Sequence, residues 1–207
     1  MKIIDISWAL SDVSVEYKDK KTIEFEKVKK YEKDDVRGTR IRLASHSGTH
    51  IDAPAHFLKS GKSIDQVKLD SCVGECIVLD MTHVGERITC EDLEKQEIKK
   101  DDIVLLKTTN SALSSTGTFN HGFVFLDASG ARYLADMKIK AVGIDYLGIE
   151  RGQQGHPTHT LLFENNVTII EGLRLKTVNP GAYFFCCLPI NIIGPEAAPA
   201  RAVLIEG

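Results

Sequence analysis

The chain has 207 residues, enough for one domain with a sizeable core. Its 26 basic and 29 acidic side chains leave a formal charge of −3, which gives no general attraction to nucleic acid or to an anionic membrane. The segment Met1-Lys2-Ile3-Ile4-Asp5-Ile6-Ser7 lacks the apolar run of a signal peptide, and no stretch is long and apolar enough to span a bilayer, so a cytoplasmic protein is expected.

Short apolar, β-branched runs bounded by Gly, Asp and Pro predict strands at 2–6, 41–44, 76–79, 103–106, 142–144, 167–170, 183–188 and 202–205. Between the first two, residues 16–37 carry eight basic and seven acidic side chains, the balance of a solvated hairpin or loop. Thr89 precedes acids in a first helical turn and starts a helix over 89–95; 129–137 and 158–164 are helical in propensity. A single mixed α/β domain over 1–207 with a strand-rich core follows. Cys72, Cys76, Cys90, Cys186 and Cys187 form an odd set without a C-x-x-C pair, which excludes a complete internal disulfide framework and fits a reducing compartment. Strand alternation sends Cys186 and Cys187 to opposite faces as packing residues.

The segment His46-Ser47-Gly48-Thr49-His50-Ile51-Asp52-Ala53-Pro54-Ala55-His56 places three histidines and a carboxylate within eleven residues. In an ideal strand His46 and His50 would stand roughly 13 Å apart, too far to share an ion. In a helix they would lie about 6 Å apart, but Gly48 and Pro54 oppose a regular element. A bend at Gly48, where the missing Cβ permits close approach to a ligand, lets His46, His50 and Asp52 converge and leaves His56 beyond Pro54. A nitrogen and oxygen donor set without thiolate suits a hydrolytic zinc site, with manganese as the second choice. His83 and His121 read as turn or surface histidines, Glu164 as solvent-facing and Asp145 as a strand-end turn residue. His156 is a candidate accessory ligand or substrate contact.

The motif resembles the His-x-Gly-Thr-His-x-Asp-x-Pro-x-His signature of the cyclase family of metal-dependent hydrolases, which includes the bacterial kynurenine formamidases. Residues 46–56 match every fixed position. A second family patch, a His followed twelve residues later by a Glu ending an apolar strand, is matched by His159 and Glu171. The resemblance implies a swivelling β/β/α fold and a two-metal centre: His46, His50 and Asp52 on one ion, His159 on a second, and Asp52 and Glu171 bridging both. Two zinc ions per subunit are thereby implied. His56 matches the family's proton donor and acceptor. The formamidases carry a Trp-Pro-Gly-Asp stretch whose Trp lines an aromatic pocket; its counterpart here is Tyr17-Lys18-Asp19-Lys20, which makes Tyr17 the candidate substrate contact.

The implied activity is hydrolysis of a small aryl formamide or related amide by metal-activated hydroxide, with His56 carrying the proton to the leaving nitrogen. The implied partners are that small molecule and a second copy in a homodimer or higher homo-oligomer. Rival readings are ring opening of a cyclic amide, imide or lactone, as in the isatin hydrolases, and a non-catalytic metal-stabilised ligand-binding protein.

Overall fold

A computed structural model describes residues 1–206. In chain order the strands are β1 (Lys2–Asp5), β2 (Glu24–Lys29), β3 (Gly38–Arg42), β4 (His50–Asp52), β5 (Val73–Asp80) and β6 (Arg87–Ile88). They continue with β7 (Ile103–Lys107), β8 (Phe125–Leu126), β9 (Ala141–Ile144), β10 (Thr168–Glu171), β11 (Gly181–Pro189) and β12 (Ala197–Glu206). The α-helices are α1 (Tyr31–Asp34), α2 (Cys90–Leu93), α3 (Ala128–Asp136) and α4 (Pro157–Glu164).

Hydrogen bonding runs β12–β11–β5–β7–β9–β10–β4 and returns to β12, closing seven strands into a barrel. The long β12 makes this possible: residues 197–199 pair with β4 and 200–205 with β11, while β1 adds to 203–206 outside the ring. β5, β7, β9 and β10 are parallel to one another, and such strands are buried on both faces. β7 shows why its sequence is uniformly apolar. Ile103 and Leu105 join the core inside the ring with Ile51, Ile170 and Phe185, while Val104 and Leu106 pack outward with Leu93, Leu134 and Leu162 of α2, α3 and α4.

The predicted helices are present within a residue or a few at each end. Asp127 caps α3 by accepting from the Ser129 and Gly130 amides at 2.8 and 3.0 Å, and Thr89 caps α2. The expectation of a strand at 41–44 needs correction. The strand is Gly38–Arg42, one arm of an antiparallel hairpin with β2, and Leu43 and Ala44 lie outside it. The cross-strand pairs Glu24–Arg42 and Glu26–Arg40 match that register, so charged positions 40 and 42 belong to the strand with Ile41. The charged segment is therefore a solvated hairpin, as its composition indicates. Cys187 is buried and Cys186 partly exposed, as alternation requires. No helix among the described residues is long and apolar enough to cross a membrane.

Candidate metal centre

Gly48 turns the chain at φ +61°, a left-handed conformation that glycine adopts without penalty. The bend brings the His46 and His50 rings to 5.0 Å between centroids. A Cβ on Gly48 would lie 2.6 Å from Leu10 Cδ2, so the close approach that requires glycine is to the protein itself.

Beyond the bend, β4 sends His50 and Asp52 to one face and Ile51 into the barrel core. The antiparallel register of β10 sets Glu171 opposite His50. α4, which begins at Pro157, presents His159 to the same point. His50 Nε2 lies 3.5 Å from Asp52 Oδ1 and 3.3 Å from Glu171 Oε2. His159 Nε2 lies 3.7 Å from Asp52 Oδ2 and 3.5 Å from Glu171 Oε1. His46 Nδ1 stands 2.9 Å from Asp52 Oδ1. Each carboxylate thus turns one oxygen toward the His50 side and the other toward His159. The rings of His46 and His56 approach to 4.2 Å, which brings the fourth histidine to the edge of the cluster.

The buried polar atoms test whether a cation fits. His50 Nε2 and both Asp52 oxygens are buried without a hydrogen bond of sound geometry. Each such orphan costs about 1–3 kcal/mol unless something compensates it. They converge with Glu171, and a divalent cation would satisfy them together. Electrostatics agree. Burial opposes charge on His50, but Glu171 and Asp52 outweigh it and raise its pKa to about 9. Burial likewise opposes charge on His159, where Glu150 and Glu171 prevail and raise it to about 9. Burial also disfavours the Glu171 carboxylate, yet His159 and His50 hold it well below the usual range. Carboxylates that attract protons onto imidazoles so strongly would attract a metal cation in their place.

The outer nitrogens separate the histidines into two kinds. His50 Nδ1 donates to the Gly48 carbonyl at 2.8 Å, His159 Nδ1 to Glu150 Oε2 at 3.0 Å and His46 Nε2 to Glu196 Oε1 at 3.2 Å. In each ring the remaining nitrogen faces the centre. His56 makes no side-chain hydrogen bond among the described residues, and burial pushes its pKa below 6.5. Burial thus favours its neutral, proton-accepting form.

A cavity of about 400 Å³ opens onto the centre. Its walls include Tyr17, Phe57, Leu147 and His156, with His46, His56, His159 and Glu171 at the base. Tyr17 stands edge-on to Phe119 at 5.1 Å, and Phe57 lies 4.6 Å from the His156 ring. Trp8, which directly follows the Asp5-Ile6-Ser7 segment, is buried against Tyr146 and lies outside this wall. Of the seven residues singled out from the sequence, Tyr17, His46, His56, His159 and Glu171 border this space, while His50 and Asp52 lie buried next to Glu171 and outside the cavity lining.

Sequence reasoning missed Glu150 and Glu196. Glu150 sits in an irregular segment after β9 and Glu196 just before β12, and only the closed barrel brings them behind His159 and His46. Gly-Ile-Glu and Gly-Pro-Glu carry no local signal for such a role. His156, an open candidate, reaches Glu150 Oε1 at 3.2 Å on the cavity wall. Asp145 is structural: it accepts from Thr108 and Ser111 amides at 2.8 and 3.0 Å. His83, His121 and Glu164 are exposed.

Fold and site together define a class: a strand-barrel α/β protein with a histidine–carboxylate cluster at the base of an aromatic cavity. The chain belongs to the cyclase family, whose model, described as "Putative cyclase", matches residues 4–151. Kynurenine formamidase of Salinibacter ruber is 30% identical over 99% of this chain and 97% of its own length. A solved structure described as a "predicted metal-dependent hydrolase from Bacillus stearothermophilus" is 42% identical, with TM-score 0.88 over 98% of this chain and 97% of that one. Isatin hydrolase A from Labrenzia aggregata shares the fold at TM-score 0.82 and 21% identity, over 98% of this chain and 93% of that one. The chain spans 66% of the length of the Cyclase-like protein 3 of Oryza sativa subsp. japonica, to which it is 33% identical over 83% of its own length.

Proposed function

We propose that the protein is a metal-dependent amidohydrolase that cleaves a small aryl formamide or related open-chain amide. The observation that carries this reading is the cluster itself: two buried carboxylates divide their oxygens between His50 and His159, and the His56 ring stands beside them. His46, His50, Asp52, His159 and Glu171 would hold the metal, with Asp52 and Glu171 shared between two ions. Zinc suits the donor set best and manganese second. When bound, the metal would supply Lewis acidity that polarises the amide carbonyl and acidifies water.

The chain's own groups do the rest. The cavity admits a small aromatic molecule, and Tyr17 and Phe57 offer ring faces to an aryl group. His56 accepts a proton from the attacking water on a ring nitrogen and returns it to the amide nitrogen, which leaves as a neutral amine. An imidazole is suited to exchange that proton in both directions, and burial shifts His56 toward its accepting form. The five free cysteines fit action in the reducing cytoplasm. A homodimer would cover Phe25 and Ile41, which face each other across the hairpin and are both exposed.

Side-by-side assay of N-formylkynurenine, simple formanilides, isatin and small cyclic imides with zinc- and manganese-loaded protein tests the proposal. Preference for the open-chain formamides, with KM raised by Tyr17→Ala, is the expected result. Efficient ring opening without formamide turnover would overturn the substrate class. Absence of any turnover by fully metal-loaded protein would leave a binding protein instead.

A further inference from the structure

Three histidines of the cluster each turn one nitrogen inward, and the atom behind the other nitrogen differs in kind. His50 is backed by a backbone carbonyl, whereas His159 and His46 are backed by carboxylates. We propose that Glu150 and, more weakly, Glu196 are positioning residues that fix the tautomer and direction of the His159 and His46 rings toward the metal. The inference rests on the metal-hydrolase reading above and adds two residues to it.

Glu150 is built for this task. Its side chain is 2% exposed, a placement a carboxylate tolerates only with strong partners. Oε2 accepts both from the His159 ring at 3.0 Å and from the His159 amide at 3.1 Å. The ring is thus referenced to the first turn of its own helix. A carboxylate cannot donate, so Nδ1 carries the proton and the Nε2 lone pair is left pointing at Asp52 and Glu171. Oε1 has no hydrogen bond, but His156 Nδ1 lies 3.2 Å away on that side of the carboxylate. His156 itself holds a left-handed backbone at φ +52°, which a non-glycine residue adopts only where its surroundings enforce it.

Glu196 repeats the arrangement with looser hold. Its Oε1 accepts from Ser45 Oγ at 2.6 Å and from His46 Nε2 at 3.2 Å, leaving His46 Nδ1 free to face Asp52. Its side chain is 40% exposed, so water screens and competes with the contact. The two carboxylates therefore rank by burial. Outer partners of metal-bound histidines are worth about 10- to 100-fold in metal affinity, and Glu150 belongs at the upper end of that range.

Zinc affinity, measured by chelator competition on the whole 207-residue chain, reads this directly and needs no substrate. Glu150→Gln keeps an acceptor but loses the charge and should bind zinc about tenfold more weakly; Glu150→Ala loses both and should bind it about 100-fold more weakly. Glu196→Gln should lose less than Glu150→Gln, and Glu164→Gln, on the exposed face of the same helix, should lose nothing. Cobalt(II) loaded in place of zinc should show shifted visible bands in the Glu150 variants, a change that a remote packing defect would not produce. The near-isosteric Gln variant keeps the test decisive if the Ala variant does not fold. Zinc affinity of Glu150→Gln within about twofold of wild type, with an unaltered cobalt spectrum, would overturn the proposal while the metal centre stands. A wild-type protein that binds neither zinc nor cobalt would overturn the metal reading itself.

Discussion

Glu171 lies opposite His50 in the antiparallel register of β10 against β4, and its Oε2 stands 3.3 Å from His50 Nε2. One pairing of short strands therefore joins the two halves of the site, and the charge of Glu171 reaches both His50 and His159. Removing the charge of either shared carboxylate should weaken metal binding at two places at once. Asp52→Asn and Glu171→Gln should each lower metal affinity by about 10²-fold or more, beyond the loss typical of an outer partner. Elemental analysis after dialysis checks this, and full retention of metal by both variants would refute the shared role.

His56 and His50 should part company when each is truncated. His56 has no outer hydrogen-bond acceptor and stands at the edge of the cluster, so His56→Ala should keep its metal and lose about 10²–10⁴-fold in kcat. His50→Ala should lose metal. Equal metal deficits in the two variants would make His56 a ligand.

The bend that assembles the site is held by a second glycine. Gly172 follows Glu171 at φ +72°, and a Cβ there would come within 2.3 Å of the Gly48 carbonyl oxygen. Left-handed strain of about 1 kcal/mol and overpacking of about 1–3 kcal/mol add up to a loss of roughly 2–4 kcal/mol for Gly172→Ala. For a chain of this size that lowers Tm by roughly 4–16 °C. Gly85→Ala, where a Cβ meets nothing within 4 Å, is the control. Melting of the metal-free proteins should separate the two variants, and equal midpoints would show that the Gly48–Gly172 contact carries no constraint.

How much of this was legible beforehand depended on where the information sat. His46, His50, Asp52 and His56 lie within one bend whose glycine and proline are visible in the sequence, and the structure brings all four together. His159 and Glu171 required the resemblance, because their approach depends on β10 pairing with β4, and pairing register has no local signature. Strand existence followed from apolar runs such as 103–106, but closure of the barrel depends on β12 pairing with β4 through its first residues and with β11 through the rest. No periodicity reports that. Glu150 and Glu196 were invisible for the same reason, since each acts on a histidine that only the closed ring brings near. The expected strand at 41–44 overlapped the real one only at Ile41 and Arg42, because that hairpin is exposed and carries cross-strand charge pairs in place of an apolar run.

Without metal the buried histidines make stability depend on pH in a defined direction. His50 and His159 have folded pKa values raised to about 9 against about 6.5 when unfolded. Their contribution is complete below pH 6.5 and is lost as pH rises through about 9. The Tm of chelator-treated protein should fall across that window by roughly 5 °C or more, and His159→Gln should flatten the fall. A metal-free Tm that rises or stays level from pH 6.5 to 9 would contradict the electrostatic picture.

The central claim is that amide hydrolysis depends on metal held by this cluster and on the proton carried by His56. A single titration tests it: zinc is added back to chelator-treated protein while bound metal and turnover of an aryl formamide are followed together. Turnover should rise from background in step with bound zinc and level off when the site is full, while His56→Ala fills equally and stays near background. Hydrolysis by the metal-free protein at the rate of the loaded one, or a filled site without turnover of any amide, would contradict the account.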